Sequence, residues 1–289
     1  MTTKQINDEP FFPYGGTSEA LTAFRKLHES GCFILPNPWD IGSAVYLHHL
    51  GFKALATTSA GFAISRGLPD SASALTLEAV LTHIREIAEA TPLPVNADFQ
   101  AGYADHPEGV AMNVERCVRT GAAGLSIEDA TGNDSAPLYE RSNAIDRIRA
   151  ARASIDISRI PVVLTARCEA MLVGDPDPAR TILDRLTAYA DAGADCLYAP
   201  GVRDPEMISA IVKAVEPKPV NVLISSPIPG LSLFSLTDLG VRRISVGSAL
   251  ARVAWTSFIS AAKRIAETGT FDVLEDAIPF SQLNGVFKK

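Results

Sequence analysis

Eight short apolar runs, each separated from the next by a longer amphipathic stretch, restrict the fold of this sequence more than any other feature. They read CFILP (32–36), ALATT (ending at 58), PLPVNAD (92–98), GLSIED (124–129), PVVLTAR (161–167), DCLYAP (195–200), PVNVLI (219–224) and RRISVG (242–247). Short apolar strands alternating with helices are the pattern of βα units around a parallel sheet. The helical stretches carry start signals: in DPDPAR, Asp177 can cap and Pro178 can take the first helical position, and RDPEM repeats the device at Asp204 and Pro205. TGAAG (120–124) and DAGAD (191–195) read as glycine-bearing helix ends. Eight such units without a break in composition predict an α/β fold, a single (β/α)8 barrel of the TIM type, with residues 1–289 as one domain. Its core spans about residues 18–265, after a helix at about 17–30, and residues 266–289 form a C-terminal helical extension.

Composition bears on partners. At 289 residues and 47% hydrophobic content the chain can bury a large core. It carries 26 basic against 33 acidic residues, a net charge of −7, and no basic block, which argues against nucleic acid as a partner. Cys32, Cys117, Cys168 and Cys196 are scattered with no CxxC pair, so they are expected to be reduced and mostly buried thiols. The N-terminus lacks a basic start followed by an apolar run, and nowhere do eighteen apolar residues run unbroken. The expectation is a cytoplasmic protein with no membrane association.

Active sites of such barrels sit at the C-terminal ends of the strands. That rule selects Thr58 and Ser59, Asp98 and Gln100, Glu128 and Asp129, Arg167 and Glu169, Tyr198, and Asn221 with Ser225. Asp98, Glu128 and Asp70 are carboxylates with no His cluster and no paired Cys beside them, so the implied cofactor is Mg2+ or Mn2+. Magnesium keeps several waters and needs only one or two protein carboxylates. The plainer alternative is that these acids cap loops or pair with Arg167. Arg167 closes a strand, where its planar guanidinium matches a carboxylate, although a structural salt bridge to Glu128 or Glu169 would serve equally well. TTSAGFA (57–63), with Ser59 and Ala60, offers small residues whose N–H groups could cradle a carboxylate, and VRRISVGSAL (241–250) reads either as a phosphate-binding helix start at Gly247 and Ser248 or as a tight turn. None of the five histidines closes a strand.

Taken together, ATTSAGFAISRGLPDS, PVNADFQAGYADHPEGVAMNVERCVRTGAAGLSIEDATG and PVVLTARCEAML, in this order, resemble the isocitrate lyase/phosphoenolpyruvate mutase superfamily over about residues 18–265. The resemblance implies an α/β barrel that binds Mg2+ and 2-oxo or 2-hydroxy carboxylates, making or breaking C–C or P–C bonds through an enolate of pyruvate type. It implies Asp98 as the metal ligand, with Glu128 and Asp70 acting through its waters, and Arg167 gripping the substrate carboxylate beside Thr58, Ser59, Ala60 and Asn221. Arg167, Glu128 and Asp70 are thereby the candidate catalytic residues. It also implies a homodimer or homotetramer in which the eighth helix is exchanged between subunits, for which SALARVAWTSFISAAKRI (248–265) supplies apolar faces in excess.

Two departures narrow the expectation. The superfamily's D-x-D is Asp98-Phe99-Gln100 here, so Gln100 would hold a metal water without its charge. The loop after the fourth strand, DATGNDSAPLYERSNA (129–144), lacks the K-[KR]-C-G-H of isocitrate-type lyases and contains no Cys and no His. Asn133 stands where P–C enzymes use an asparagine, outside their usual context, and Tyr139 is a conceivable proton carrier. The small, polar residues 130–142 are expected to form a mobile lid. The leading expectation is a Mg2+-dependent carbon–carbon lyase acting on a small oxo or hydroxy acid. Phosphoenolpyruvate mutase or phosphonopyruvate hydrolase chemistry is the alternative, and a non-catalytic oxo-acid binder the second.

Overall fold

A computed structural model describes residues 17–71 and 73–288; the N-terminal stretch read above for a leader lies outside them. Eight strands form one sheet: β1 (Phe33–Leu35), β2 (Leu55–Ala56), β3 (Val95–Asp98), β4 (Gly124–Glu128), β5 (Val163–Arg167), β6 (Cys196–Tyr198), β7 (Val220–Leu223) and β8 (Arg243–Ser245). All neighbours are parallel, in the order β1-β8-β7-β6-β5-β4-β3-β2. At the remaining seam the Ala56 N–H donates to the Pro36 carbonyl (3.0 Å), and Asn37 Nδ2 donates to the Thr57 carbonyl (2.9 Å), so the barrel is nearly closed. Each strand is shorter than its apolar run. The second stops at Ala56 because Thr58 turns out of the sheet, its Oγ1 accepting from the Gly61 N–H to cap the next helix.

The helices begin where the sequence signals them. They are α1 (Ser18–Leu27), α2 (Ile41–His49), α3 (Ser59–Ser65), α4 (Leu77–Ala90), α5 (Pro107–Val118), α6 (Arg141–Ser158), α7 (Pro178–Asp191), α8 (Pro205–Val215), α9 (Leu233–Asp238), α10 (Ala249–Thr268) and α11 (Phe280–Phe287). Asp177 and Asp204 cap α7 and α8 with Pro in the first turn, as read from the sequence. α1 closes the base of the barrel. Its Phe24 reaches β4 where Gly124 has no side chain, and a Cβ there would come within 2.6 Å of the Phe24 ring. α10 leaves the barrel wall: Ala251 is its one buried residue, and α11 returns alongside α2. Among the described residues no helix is long and apolar enough to cross a membrane.

Because alternate strand residues face inward, the parity that points Asp98, Glu128, Arg167 and Tyr198 to the mouth also fills the layer below with polar groups. Arg243, 2% exposed, donates through Nε to Asn221 Oδ1 (2.8 Å) and through Nη2 to Thr165 Oγ1 (3.0 Å). The apolar core lies outside this layer, between strands and helices. Cys117, Cys168 and Cys196 are buried in it and Cys32 is half-buried; all four are free thiols. Two histidines are also enclosed. His28 lies beside Arg243 (3.3 Å), and His83 stacks on Phe62 with ring centroids 3.9 Å apart.

Burial lowers the pKa of His28 to about 3, with Arg243 adding to it, and that of His83 to about 4, with Arg66 adding to it. Both stay neutral in the folded chain, whereas the unfolded chain takes up protons near pH 6.5. Between that value and the folded values the unfolded state binds more protons, so stability falls as pH falls. The urea midpoint is expected to drop between pH 7 and pH 4.5, with a shallower slope in His83→Phe. An equal slope in the variant would show that His83 does not contribute to the acid limb.

Candidate active site

The ends of β2 to β8 converge on a cavity of about 500 Å³. Asp98 closes β3. Its Oδ2 accepts from the Ser59 N–H (2.9 Å) and from Ser59 Oγ (2.8 Å), while among the described residues Oδ1 has only a long contact of 3.6 Å with Arg167 Nη1. Arg167 and Glu128 sit side by side in register on β5 and β4, with Nη1 and Oε2 3.1 Å apart. Glu169 holds the Arg167 guanidinium by two bonds, one from Nε and one from Nη2 (3.0 Å). The guanidinium carbon lies 5.4 Å from the centre of the Tyr198 ring. Arg167 is therefore a pin across three strands. Its bidentate edge, expected to be free for substrate, is occupied by Glu169, leaving Nη1 as the edge turned toward Asp98 and Glu128.

Asp70, Asp98, Glu128 and Glu169 line the cavity against two guanidiniums, Arg167 and Arg252, an excess of two negative charges when all are ionised. Burial raises the Glu128 carboxyl above its usual range against the pull of Arg167, with Glu169 and Asp98 adding to the rise. Asp70, at the rim, is raised by desolvation and by Asp98, with Arg167 opposing. Such a site favours an added cation. Among the described residues no group of three or more His, Cys, Asp or Glu side chains is arranged to enclose a metal. The donors are hard oxygens; Asp98 Oδ1 is loosely paired, and the Asp70 carboxylate has no hydrogen-bond or ion-pair partner among the described residues. This fits Mg2+ or Mn2+ held by a single direct carboxylate, with Glu128, Asp70 and Gln100 reaching its waters.

Several expected residues are engaged elsewhere. Asn221 lies a layer below the main cavity, its amide taken by Arg243 and by Ser245 Oγ (2.9 Å). Thr58 Oγ1 caps α3 and the Ser59 N–H belongs to Asp98, so of the first three α3 amides only that of Ala60 has no partner among the described residues. Of the two amides in the phosphate reading of VRRISVGSAL, that of Gly247 is taken, since Asn37 Oδ1 accepts from the N–H groups of both Val246 (3.0 Å) and Gly247 (2.9 Å), whereas Ser248 lines the cavity. Asn133 Oδ1 accepts from Ser135 inside a turn. Tyr139 gives its hydroxyl to Asp105 (2.8 Å), with Arg147 3.9 Å above its ring. The expected lid is a hairpin closed by its own hydrogen bonds, with an Ala130–Leu138 bridge and Thr131 N–H donating to the Pro137 carbonyl (3.0 Å). Ala130, Thr131 and Gly132 face the cavity from it.

Other residues at the site carry no strand-end signal. The loop after β3 holds Gln100 at φ +44°, Gly102 at +74° and Tyr103 at +55°. Such backbone is strained for the two non-glycines and persists where surroundings hold it. Here Arg147, 1% exposed, donates to the carbonyls of Ala101, Ala104 and Asp105, and Asn113 donates to those of Gly102 and Tyr103. The held loop brings Tyr103 to the cavity with its hydroxyl buried and without a partner among the described residues. Burial first, then the charges of Asp98 and Glu128, push that phenol above its usual range, so it keeps its proton. Behind the site, Asp129 accepts from the Glu169 N–H (2.8 Å), Tyr189 (2.6 Å) and Arg185 (3.0 Å), fixing the residue that holds Arg167. Cys168 is fully buried, and burial raises its thiol.

Arg167→Lys keeps the charge but cannot hold Glu169 by two bonds while meeting Glu128. The expected cost is about 1–3 kcal/mol of unfolding free energy in urea, the usual range for a buried polar partner left unpaired. Oxalate affinity is expected to fall at least about tenfold, or about 1.4 kcal/mol. Unchanged oxalate binding would make Arg167 purely structural.

The sequence model of the phosphoenolpyruvate phosphomutase family matches residues 24–266. A Burkholderia cenocepacia protein solved as a candidate lyase/mutase is 45% identical, with a TM-score of 0.89 over 94% of this chain and 96% of that one. Oxaloacetate acetylhydrolase, solved with its product oxalate, is 29% identical, with a TM-score of 0.83 over 96% of this chain and 95% of that one. The 2-methylisocitrate lyase of Salmonella typhimurium is 35% identical over 185 residues, 59% of this chain and 60% of that enzyme. With the barrel, the ordered motifs and these matches in agreement, the chain belongs to the phosphoenolpyruvate phosphomutase family, within the isocitrate lyase/phosphoenolpyruvate mutase superfamily of lyases and mutases.

Proposed function

We propose that this protein is a divalent-metal-dependent lyase that cleaves a C–C bond of a small 2-oxo or 2-hydroxy carboxylic acid through an enolate of pyruvate or oxaloacetate type. The observation that carries the reading is the charge balance at Asp98: one oxygen anchored by Ser59, the other loosely paired, in a cavity with more carboxylates than cations. An added cation that offsets this excess favours the entry of a small anionic acid. The metal ion, when bound, supplies electrophilic stabilisation of the enolate oxygen. Asp98 would hold it directly, with Glu128, Asp70 and Gln100 beside it at the same cavity. Arg167 meets the substrate carboxylate through Nη1, held in place by Glu169. The Ala60 N–H is the available backbone donor beside it. Tyr103, whose phenol keeps its proton, is placed at the cavity to donate a hydrogen bond to the developing enolate.

P–C chemistry finds less support, because Asn133 is tied into a turn and the Gly247 amide is closed by Asn37. A non-catalytic binder is separated from an enzyme by turnover of oxaloacetate and related acids. The uncovered residues of α10, among them Val253 (64% exposed) and Phe258 (59%), support a homodimer or homotetramer built by helix exchange.

Titration with oxalate tests the site. Binding is expected with Mg2+ or Mn2+ present, to be lost on chelation and in Asp98→Ala; metal-independent binding of equal strength would sink the assignment. Isocitrate and 2-methylisocitrate should be poor substrates, and cleavage of either at about 10 per second, a typical enzyme turnover, would contradict the role given to the loop. Light scattering at micromolar concentration should report a dimer or tetramer, and a monomer would count against helix exchange.

A further inference from the structure

We propose that Tyr198, at the end of β6, is a substrate-contacting residue of this site, its phenol donating a hydrogen bond to the ligand carboxylate that Arg167 meets. Arg243, Asn221 and Ser245 are the positioning residues that set the direction of that bond. The inference rests on the reading of the site given above and adds residues to it. Tyr198 lines both the main cavity and a smaller chamber of about 60 Å³ beneath it. Its ring lies beside Arg167, with the guanidinium carbon 5.4 Å from the ring centre. Burial pushes the phenol up to about 12 against the pull of Arg167, so it holds its proton at neutral pH. A protonated phenol is both donor and acceptor. What it offers a ligand depends on which of the two it spends on the protein.

The chamber decides that, because its hydrogen bonds begin at a group that can only donate. Arg243, on β8, is buried, and its Nε donates to Asn221 Oδ1 (2.8 Å). The Asn221 amide is thereby fixed with its nitrogen turned the other way, since the flipped amide would set N–H against N–H. Its Nδ2 donates to Ser245 Oγ (2.9 Å). Ser245 is hydrogen-bonded in turn to the Tyr198 hydroxyl, and among the described residues its own proton has no other acceptor. The Ser245 proton therefore goes to the Tyr198 oxygen, and the Tyr198 proton is left for the cavity. The same polarity holds on the far side of Arg243. There the His28 Nδ1–H donates to the Phe24 carbonyl (2.7 Å), which leaves Nε2 to accept from Arg243 Nη1 (3.3 Å). The strands hold the row in register, Tyr198 pairing with Asn221 and Asn221 with Arg243. A cation buried below the site so aligns a phenol at its floor, and hydrogen bonds in series reinforce one another.

Calorimetric titration of the full chain with oxalate in saturating Mg2+ tests this, because one isosteric change reverses the relay. In Asn221→Asp one carboxylate oxygen still meets Arg243 while the other accepts from Ser245, so Tyr198 gives its proton to Ser245 and has none for the ligand. Tyr198→Phe is expected to weaken oxalate at least about tenfold, the scale of a lost hydrogen bond to a charged partner. Asn221→Asp should weaken it to a similar extent in the parent, but by no more than about twofold in the Tyr198→Phe background, where no phenol is left to reverse. Ser245→Ala should show the same dependence on Tyr198, and it carries the test if the Asp variant does not fold. Mn2+ affinity measured without oxalate should hold in Tyr198→Phe. Unchanged oxalate binding in Tyr198→Phe overturns the inference. An equal loss from Asn221→Asp in both backgrounds does so too, since it reports the added charge alone. Joint loss of Mn2+ and oxalate in Tyr198→Phe also overturns it, by making Tyr198 a support for the whole site. A parent that binds no oxalate with Mg2+ defeats the underlying reading, and this inference with it.

Discussion

The contact of Arg167 with Glu128, Glu169 and Asp98 is the interaction on which the mouth of this barrel depends. Three carboxylates brought together at low exposure repel one another, and only a cation between them makes the arrangement tolerable. Because those acids close β3 and β4 and follow β5, the same guanidinium ties the strand ends to each other. Asp129 supports the pin from behind through the Glu169 backbone, and it is held in turn by Arg185 and Tyr189 of α7. The site is therefore a charged layer anchored in the helical shell.

One cation does not balance that layer, and the remaining negative charge is what the proposed metal ion would offset. Strain is part of the same design. The loop after β3 adopts left-handed backbone at Gln100 and Tyr103, which places an amide and a phenol at the cavity. The buried Arg147 and the side chain of Asn113 hold five of its carbonyls. Hydrogen bonds to a charged donor are strong enough to offset strain of this kind.

Much of this site was legible along the chain. Eight apolar runs gave eight strands in parallel order, and the strand-end rule placed Asp98, Glu128, Arg167, Glu169 and Tyr198 around one cavity. It misplaced Asn221, because strand-end position alone does not separate the mouth layer from the layer beneath, where Arg243 claims the amide. Asn133 and Tyr139 looked available as loop residues, yet one closes a turn on Ser135 and the other packs under Arg147. Local hydrogen bonding of this sort competes for polar side chains and leaves no periodic trace.

The sequence by itself determined the barrel, the identity of the acids at its strand ends and the absence of a cysteine in the loop after β4, because hydrophobic periodicity and residue type are properties of the chain. Only the tertiary structure decided which donors remain open. Asn37 reaches Gly247 across 210 positions and takes one of the two amides that the last strand seemed to offer a phosphate. Arg252 arrives from a helix that otherwise leaves the barrel, seated by the contact of Ala251 with Gly61. Pairings between residues so distant along the chain are set by packing geometry, and packing geometry exists only once the strands have closed into a barrel.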